Sequence, residues 1–209
     1  RPVARLSSNE RNAALRAMAS RLRLEKDYIL AENAKDIAEA DRSGQTRAFI
    51  DRLVLNEDRI EAIARSIEDI ALLEDPLGRI ENMRTMPSGI RVGQMRVPLG
   101  VVCVIFESRP NVTTDIAALC VKSGNACVLR GGKESINSNI ALHRVVAASL
   151  EEVGVPRAAV TLVDKTDRAL VPVLLKMNGY IDIVIPRGGE SLIQAVVRDS
   201  TIPVLKHDK

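Results

Sequence analysis

The sequence predicts an α/β protein built on a parallel sheet that helices cover on both faces. Three observations support this fold class. From Gly100 onward, short aliphatic runs alternate with longer segments of helical character. The aliphatic runs lack a regular polar alternation, which is typical of strands buried on both faces. The core must also be aliphatic, because the 209 residues include two Tyr, two Phe and no Trp.

The first part of the chain, residues 1–77, is predicted to be helical. Ser7 and Glu10 have the spacing of a capping box ahead of a run rich in Ala, Leu and Arg. A second helix is predicted over 26–40, and a shorter piece over 49–54. Asn56 is the predicted N-cap of a further helix that ends before Pro76. Its apolar residues recur at helical spacing: Ile60, Ile63, Ala64, Ile67, Ile70 and Ala71.

Residues 78–98 are predicted to form a β-hairpin arm. Two strands, over 80–84 and 90–97, flank Pro87-Ser88-Gly89, a plausible turn. Polar residues such as Gln94 and Arg96 keep one face hydrophilic. We interpret this arm as a candidate oligomerisation element; an edge hairpin of the main sheet is the alternative.

Residues 99–209 predict the parallel α/β core. Its strands are expected over 101–106, 126–129, 159–163, 181–185 and 203–205. Its helices are expected over 113–122, 134–153, 167–177 and 189–197. Right-handed crossovers would join these strands.

Charge and composition argue against several classes of partner. The net charge of +3 is spread along the chain without a basic cluster, and aromatic side chains for base stacking are scarce. We therefore expect no nucleic acid and, instead, a small anionic substrate. The longest apolar run, Val97 to Phe106, is about half of what a membrane helix needs, and no signal peptide is visible, so no membrane association is expected.

The three cysteines, Cys103, Cys120 and Cys127, have neither disulfide nor zinc spacing. A reducing, cytoplasmic location is expected. All three fall within apolar strands or on the apolar side of a helix, where a thiol is usually a small hydrophobic side chain rather than a nucleophile. His143 and His207 have no catalytic partner at useful spacing, and no metal site is expected.

Polar residues and glycines gather where the predicted strands end, which is where parallel sheets bind ligands. Two of these strand ends have the same order, which is an Arg, two glycines and then a helix. They are Arg130-Gly131-Gly132-Lys133 and Arg187-Gly188-Gly189. Glycines allow close approach of the backbone, and a helix N-terminus offers N–H groups to phosphate. A tight turn with no ligand is the alternative. Neither sequence matches the Rossmann or P-loop glycine patterns.

The first strand end, Glu107-Ser108-Arg109-Pro110-Asn111, offers different chemistry. The Asn111 amide could donate to a developing oxyanion, or it could simply cap a helix. Arg109 could bind a carboxylate or a phosphate, or it could form a surface ion pair.

Several segments resemble gamma-glutamyl phosphate reductases (glutamate-5-semialdehyde dehydrogenases), a family within the aldehyde dehydrogenase superfamily. The resemblance runs through Val97-Pro98-Leu99-Gly100, Phe106-Glu107-Ser108-Arg109-Pro110-Asn111 and Leu129-Arg130-Gly131-Gly132-Lys133-Glu134. It continues at Ile185-Pro186-Arg187-Gly188-Gly189 and Ser200-Thr201-Ile202-Pro203-Val204. The fold it implies is a Rossmann-like, aldehyde dehydrogenase-like nucleotide-binding domain with N-terminal helices and an oligomerisation arm.

The resemblance implies NADPH-dependent reduction of L-glutamyl 5-phosphate to the 5-semialdehyde and phosphate in proline biosynthesis. It assigns Asn111 to the oxyanion. The residues that it assigns to cofactor binding are Arg130, Gly131, Gly132, Lys133, Arg187, Gly188 and Gly189. The basic residues among them favour NADP over NAD. Glu107, Ser108 and Arg109 would bind substrate. It also implies a homo-oligomer and a functional link to glutamate 5-kinase, which is fused to the reductase in some enzymes.

The resemblance further implies that the catalytic domain and its nucleophilic cysteine lie outside this chain, so we expect the chain by itself to be inactive. Two other interpretations stay open. One is another aldehyde dehydrogenase-superfamily oxidoreductase, although Glu-Ser-Arg-Pro-Asn replaces a Pro-Trp-Asn motif. The other is a non-catalytic nucleotide-binding fragment.

Overall fold

A computed structural model describes residues 2–206 and places six strands and eight α-helices within them. The strands are β1 (Ile80–Thr85), β2 (Arg91–Met95), β3 (Val101–Phe106), β4 (Ala126–Arg130), β5 (Val160–Leu162) and β6 (Ile183–Arg187). The helices are α1 (Ser8–Leu24), α2 (Lys26–Arg42), α3 (Arg47–Leu53), α4 (Glu57–Leu72), α5 (Asn111–Lys122), α6 (Ile136–Glu152), α7 (Leu170–Leu174) and α8 (Glu190–Asp199).

The main sheet has four parallel strands in the order β5-β4-β3-β6. Alternate residues of β3 face opposite sides. Val102, Val104 and Phe106 pack with α1, α4, α5 and α6, whereas Cys103 and Ile105 pack with α7 and α8. The predicted parallel sheet with two helical layers is therefore confirmed.

The strand order creates a switch in chain direction between β3 and β6. From β3 the chain moves outward through β4 to β5, and then returns to β6 on the other side of β3. The helices that follow these two strands therefore leave toward opposite faces of the sheet. A crevice opens at their carboxyl ends, where open α/β sheets bind ligands.

The hairpin forms its own two-stranded antiparallel sheet instead of joining the edge of the main sheet. Ile80 pairs with Met95, and both side chains are more than half exposed. Other apolar side chains in or next to the hairpin are also exposed: Met83, Met86, Ile90, Val92, Val97 and Leu99.

Local signals place several helix ends as predicted. The Ser7 hydroxyl accepts from the backbone N–H of Glu10, whose carboxylate accepts in turn from the N–H of Ser7. The Asn56 side chain accepts from the N–H of Arg59, which caps α4. No helix within residues 2–206 is long and apolar enough to cross a bilayer.

Several predicted elements differ from the structure, and one of them is the strand expected over 181–185, which is β6 over Ile183–Arg187. The helix expected over 167–177 is reduced to α7, because proline is accepted only in the first turn of a helix and Pro172 therefore limits how early it can begin. The expected strand over 203–205 is a single bridge between Val204 and Val184. The helix expected from Thr113 begins at Asn111, so this asparagine lies in its first turn.

Candidate functional site

Two cavities open beside the carboxyl end of β3. The larger, called the cleft below, has a volume of about 1750 Å³ and spans the ends of β3, β4 and β6. The smaller, called the side pocket below, has a volume of about 400 Å³ and lies between the α3–α4 region and the start of α5. Arg52 and Arg109 line both cavities, so the loop after β3 separates them.

The loop after β3 is held in a strained conformation by a carboxylate from the next strand end. Ser108 has a positive φ of 37°, which is uncommon for a residue other than glycine. Its N–H and its hydroxyl both donate to Oε1 of Glu134, each at 2.8 Å. Gly132 makes room for this contact, because a Cβ there would overlap the Glu134 carboxylate. We did not predict Glu134 as a site residue; its position directly after the second strand end was the available signal.

Glu107 contacts the start of α8 on the other side of the same crevice. Its Oε2 accepts from the N–H of Gly189 at 2.9 Å, at the N-terminus of α8. A Cβ at Gly188 would lie only 2.5 Å from this oxygen, so glycine leaves room for the Glu107 carboxylate in this position. The next two amides, of Glu190 and Ser191, have no partner within residues 2–206 and line the cleft. Helix α8 therefore keeps two free N–H groups at the mouth of the cleft.

The N-terminus of α6 is used differently, because a carboxylate from α2 occupies it. Asp36 accepts from the backbone N–H groups of Asn137 at 3.2 Å and Ser138 at 2.8 Å. It also accepts from the Asn137 amide at 2.8 Å and from the Ser138 hydroxyl at 2.5 Å. The two Arg-Gly-Gly strand ends therefore differ in the helix that follows. The α6 amides already bind a carboxylate of the protein itself, whereas two amides of α8 are free within the described part of the chain.

Arg130 is buried, with 8% of its surface exposed. It donates to the carbonyls of Gly131 at 2.6 Å and Thr166 at 3.2 Å, while its Nε has no partner. Burial lowers the pKa of Arg130, although Glu134 opposes the shift. The Arg130 guanidinium therefore links two backbone segments near the end of β4. Lys133 is exposed, and it is the cation in this region that can reach a ligand.

The cleft is electropositive. Within residues 2–206, the side chains of Arg109, Lys133, Arg168 and Arg187 are exposed and take part in no ion pair or hydrogen bond. The carboxylates of Glu107 and Glu134 in the same wall already accept backbone N–H groups. The field in the cleft therefore favours an anionic ligand.

Asn111 lies in the first turn of α5 and lines the side pocket. Its amide Nδ2 donates to Oδ2 of Asp115, one turn later, at 2.8 Å. The second N–H of this amide is left for another acceptor. Burial raises the pKa of Asp115, although the bond from Asn111 and the charge of Arg187 oppose the rise.

The three cysteines are buried and line neither cavity. Burial raises the pKa of the Cys103 thiol to about 12. A hydrogen bond with Cys120, together with burial, raises the pKa of Cys127. His143 contacts the Val160 carbonyl at 3.0 Å, and His207 lies outside the described residues.

Comparison with curated proteins confirms the resemblance seen in the sequence. The chain is 48% identical over 206 residues to the gamma-glutamyl phosphate reductase of Thermoanaerobacter sp. (strain X514). This match covers 99% of the chain and 50% of the relative. The chain thus spans about half the length of the curated relatives it matches. No protein-family model matches the chain.

Solved structures support the fold. The gamma-glutamyl phosphate reductase of Thermotoga maritima superposes with a TM-score of 0.95 and 36% identity, covering 97% of this chain and 49% of that one. A probable aldehyde dehydrogenase from Listeria monocytogenes superposes with a TM-score of 0.72 at 14% identity, covering 97% of this chain and 42% of that one. The second likeness concerns the fold alone.

Proposed function

Because this chain matches gamma-glutamyl phosphate reductases along nearly its whole length, we propose that it forms the cofactor-binding part of an NADPH-dependent reductase of L-glutamyl 5-phosphate. The products would be L-glutamate 5-semialdehyde and phosphate. The observation that carries this proposal is the 48% identity over 99% of the chain. The electropositive cleft at the strand switch agrees with it, since both ligands are anions.

The residues of the cleft fit a dinucleotide. The unpartnered amides of Glu190 and Ser191 at the start of α8 suit a pyrophosphate. Lys133, exposed beside the end of β4, suits the ribose phosphate that distinguishes NADP from NAD. When bound, the cofactor supplies a hydride. In this assignment Arg130 and Glu107 shape the cleft and do not contact the ligand directly.

The side pocket suits the reacting carbonyl, and it is called the acyl pocket from here on. The N–H of Asn111 that Asp115 does not use would donate to the oxyanion that develops there. Ser108, on the loop between the two cavities, would then lie beside the phosphoryl group, and Arg109 would lie beside a carboxylate of the substrate. The Glu134 carboxylate holds that loop in place.

The cofactor assignment can be tested by replacing Lys133 with alanine. We expect the dissociation constant for NADPH to rise about tenfold, because one charge-assisted contact to phosphate is lost. The constant for NADH should change less than about twofold. Nicotinamide fluorescence in titrations of the intact protein measures both.

Lys176→Ala is the matched control, because Lys176 is exposed and does not line the cleft. It should leave both constants unchanged. Equal weakening of NADPH and NADH by Lys133→Ala, or no weakening of either, would contradict the assignment. Failure of the intact wild-type protein to reduce glutamyl phosphate with NADPH would contradict the function itself.

We also propose that residues 78–98 form an arm that joins a second copy of the protein. This hairpin exposes several apolar side chains, and exposed apolar surface of this kind is what interfaces cover. Ile80 and Met95 are cross-strand partners on it.

Changing both Ile80 and Met95 to lysine is expected to convert the oligomer into monomers, because charged side chains would enter the interface. Sedimentation velocity measures the change, and far-UV circular dichroism checks that the fold persists. Leu72→Lys is the control, since Leu72 is 83% exposed but lies outside the arm. A monomeric wild type, or a variant that still assembles, would refute the role of the arm.

The substrate also implies a preceding reaction. An acyl phosphate of glutamate forms by phosphoryl transfer to the side-chain carboxylate, so a glutamate 5-kinase would act immediately upstream. We place this chemistry in the cytoplasm, where the three free thiols stay reduced.

A further inference from the structure

The acyl pocket contains charges of both signs, and most of them are already engaged. Arg59 donates to Oδ1 of Asp51 and to the Val54 carbonyl, each at 2.7 Å. The Arg52 guanidinium lies 5.7 Å from the centre of the Phe49 ring. The charged groups of this pocket that form neither an ion pair nor a ring contact within residues 2–206 are Asp115 and Arg109.

Asp115 is a half-buried carboxylate that forms no ion pair within residues 2–206, although the more distant charge of Arg187 acts on it. Its hydrogen bond within the described residues comes from the neutral amide of Asn111 at 2.8 Å. Taking a carboxylate out of water without an opposite charge costs free energy. A ligand that brings a positive group against Asp115 would recover part of that cost.

Arg109 is its counterpart. It is exposed, lies two residues before Asn111 and lines the same pocket. The pocket therefore presents one anion and one cation that form no ion pair within the described residues, together with the amide that would bind the oxyanion. A free α-amino acid carries the complementary pair, an ammonium and a carboxylate on a single carbon.

We propose that Asp115 binds the α-ammonium group of the glutamyl substrate, and that Arg109 binds its α-carboxylate. This inference rests on the proposed function, which supplies a substrate whose reacting carbonyl and α-amino group belong to one short chain. Both contacts would be charge-assisted hydrogen bonds, which are shorter and stronger than neutral ones. Asp115 would thereby select an amino acid over a simple carboxylic acid of the same length.

The experiment compares two aldehydes in the reverse direction on the intact protein. In this direction the aldehyde hydrogen leaves as hydride to NADP⁺, a phosphate oxygen bonds to the carbonyl carbon, and a proton is released. The substrates are L-glutamate 5-semialdehyde and 5-oxopentanoate, which lacks only the amino group. The variant is Asp115→Asn, which keeps an acceptor for the Asn111 amide and removes the charge.

We expect Asp115→Asn to lower kcat/KM for the semialdehyde by about 10- to 100-fold. For 5-oxopentanoate the change should be less than about threefold, because no ammonium is present to lose its partner. Asp69→Asn is the matched control: Asp69 is exposed on α4 and lines neither cavity, so both substrates should react as with the wild type.

Equal losses for the two substrates would overturn the proposal, because they would mean that Asp115 acts only by orienting Asn111. Unchanged values for both would overturn it as well. Wild-type protein that turns over neither aldehyde with phosphate would instead refute the proposed function, and this inference with it.

Inhibition of the wild type gives a second measurement that does not depend on the variant folding. L-glutamate and glutarate differ only in the ammonium group. We expect L-glutamate to inhibit at about tenfold lower concentration. Equal inhibition would contradict a role for Asp115 in binding ammonium.

Discussion

Replacement of Asp36 by alanine is expected to lower the free energy of unfolding by about 3–5 kcal/mol. The Asp36 carboxylate is 3% exposed and accepts four hydrogen bonds at the start of α6. Alanine leaves those donors buried without a partner, which costs more than a net hydrogen bond contributes. It also removes a negative charge from the positive end of the helix dipole.

Urea denaturation followed by circular dichroism measures this loss. Asp41→Ala is the matched control on the same helix, because the Asp41 side chain is exposed and makes no hydrogen bond within residues 2–206. We expect it to change stability by less than about 0.5 kcal/mol. Similar midpoints for the two variants would contradict the role assigned to Asp36.

Replacement of Gly100 by alanine is expected to cost about 3 kcal/mol or more, from backbone strain and overlap together. Gly100 has a φ of +122°, a conformation open to glycine and unfavourable for alanine. An added Cβ would also lie 2.7 Å from the carboxyl carbon of Asp182 and overlap its Oδ2. That oxygen accepts from the N–H of Val101 at 2.7 Å, so the overlap would loosen β3 at its first residue.

The variant Gly154→Ala measures the cost of backbone strain without the cost of steric overlap. Gly154 also has a positive φ, of 76°, but a Cβ there would meet nothing within 4 Å. It should cost about 1 kcal/mol, from strain alone. Equal destabilisation of the two variants in urea would mean that the overlap at Asp182 does not matter.

Much of the secondary structure follows from short stretches of sequence. The run from Val101 to Phe106 is aliphatic enough to identify a strand buried on both faces, and the structure confirms its bounds. Ser7 and Asn56 cap the helices that their spacing predicts. Pro172 was the missed signal, because it lies inside the expected helix and limits how early α7 can begin.

The candidate site was predictable as a set of strand ends, but the contacts between them were not. The glycines and arginines after β3, β4 and β6 identify the crevice. Nothing local indicates that Glu134 would hold Ser108, that Glu107 would cap α8, or that Arg130 would be buried against backbone carbonyls. Each of these contacts depends on which strands are neighbours.

The sequence by itself determined the class of fold, the aliphatic core, the ends of several helices and the family that the chain resembles. These depend on periodicity and on interactions between residues a few positions apart, which any short segment carries with it. The tertiary structure alone decided which of two similar Arg-Gly-Gly ends keeps free amides. Asp36 reaches α6 across about a hundred residues of chain, whereas the first turn of α8 beyond Gly189 stays open. Such a choice depends on the strand order and on how the helices pack against the sheet, because a carboxylate can fill a helix N-terminus only where the fold brings the two together.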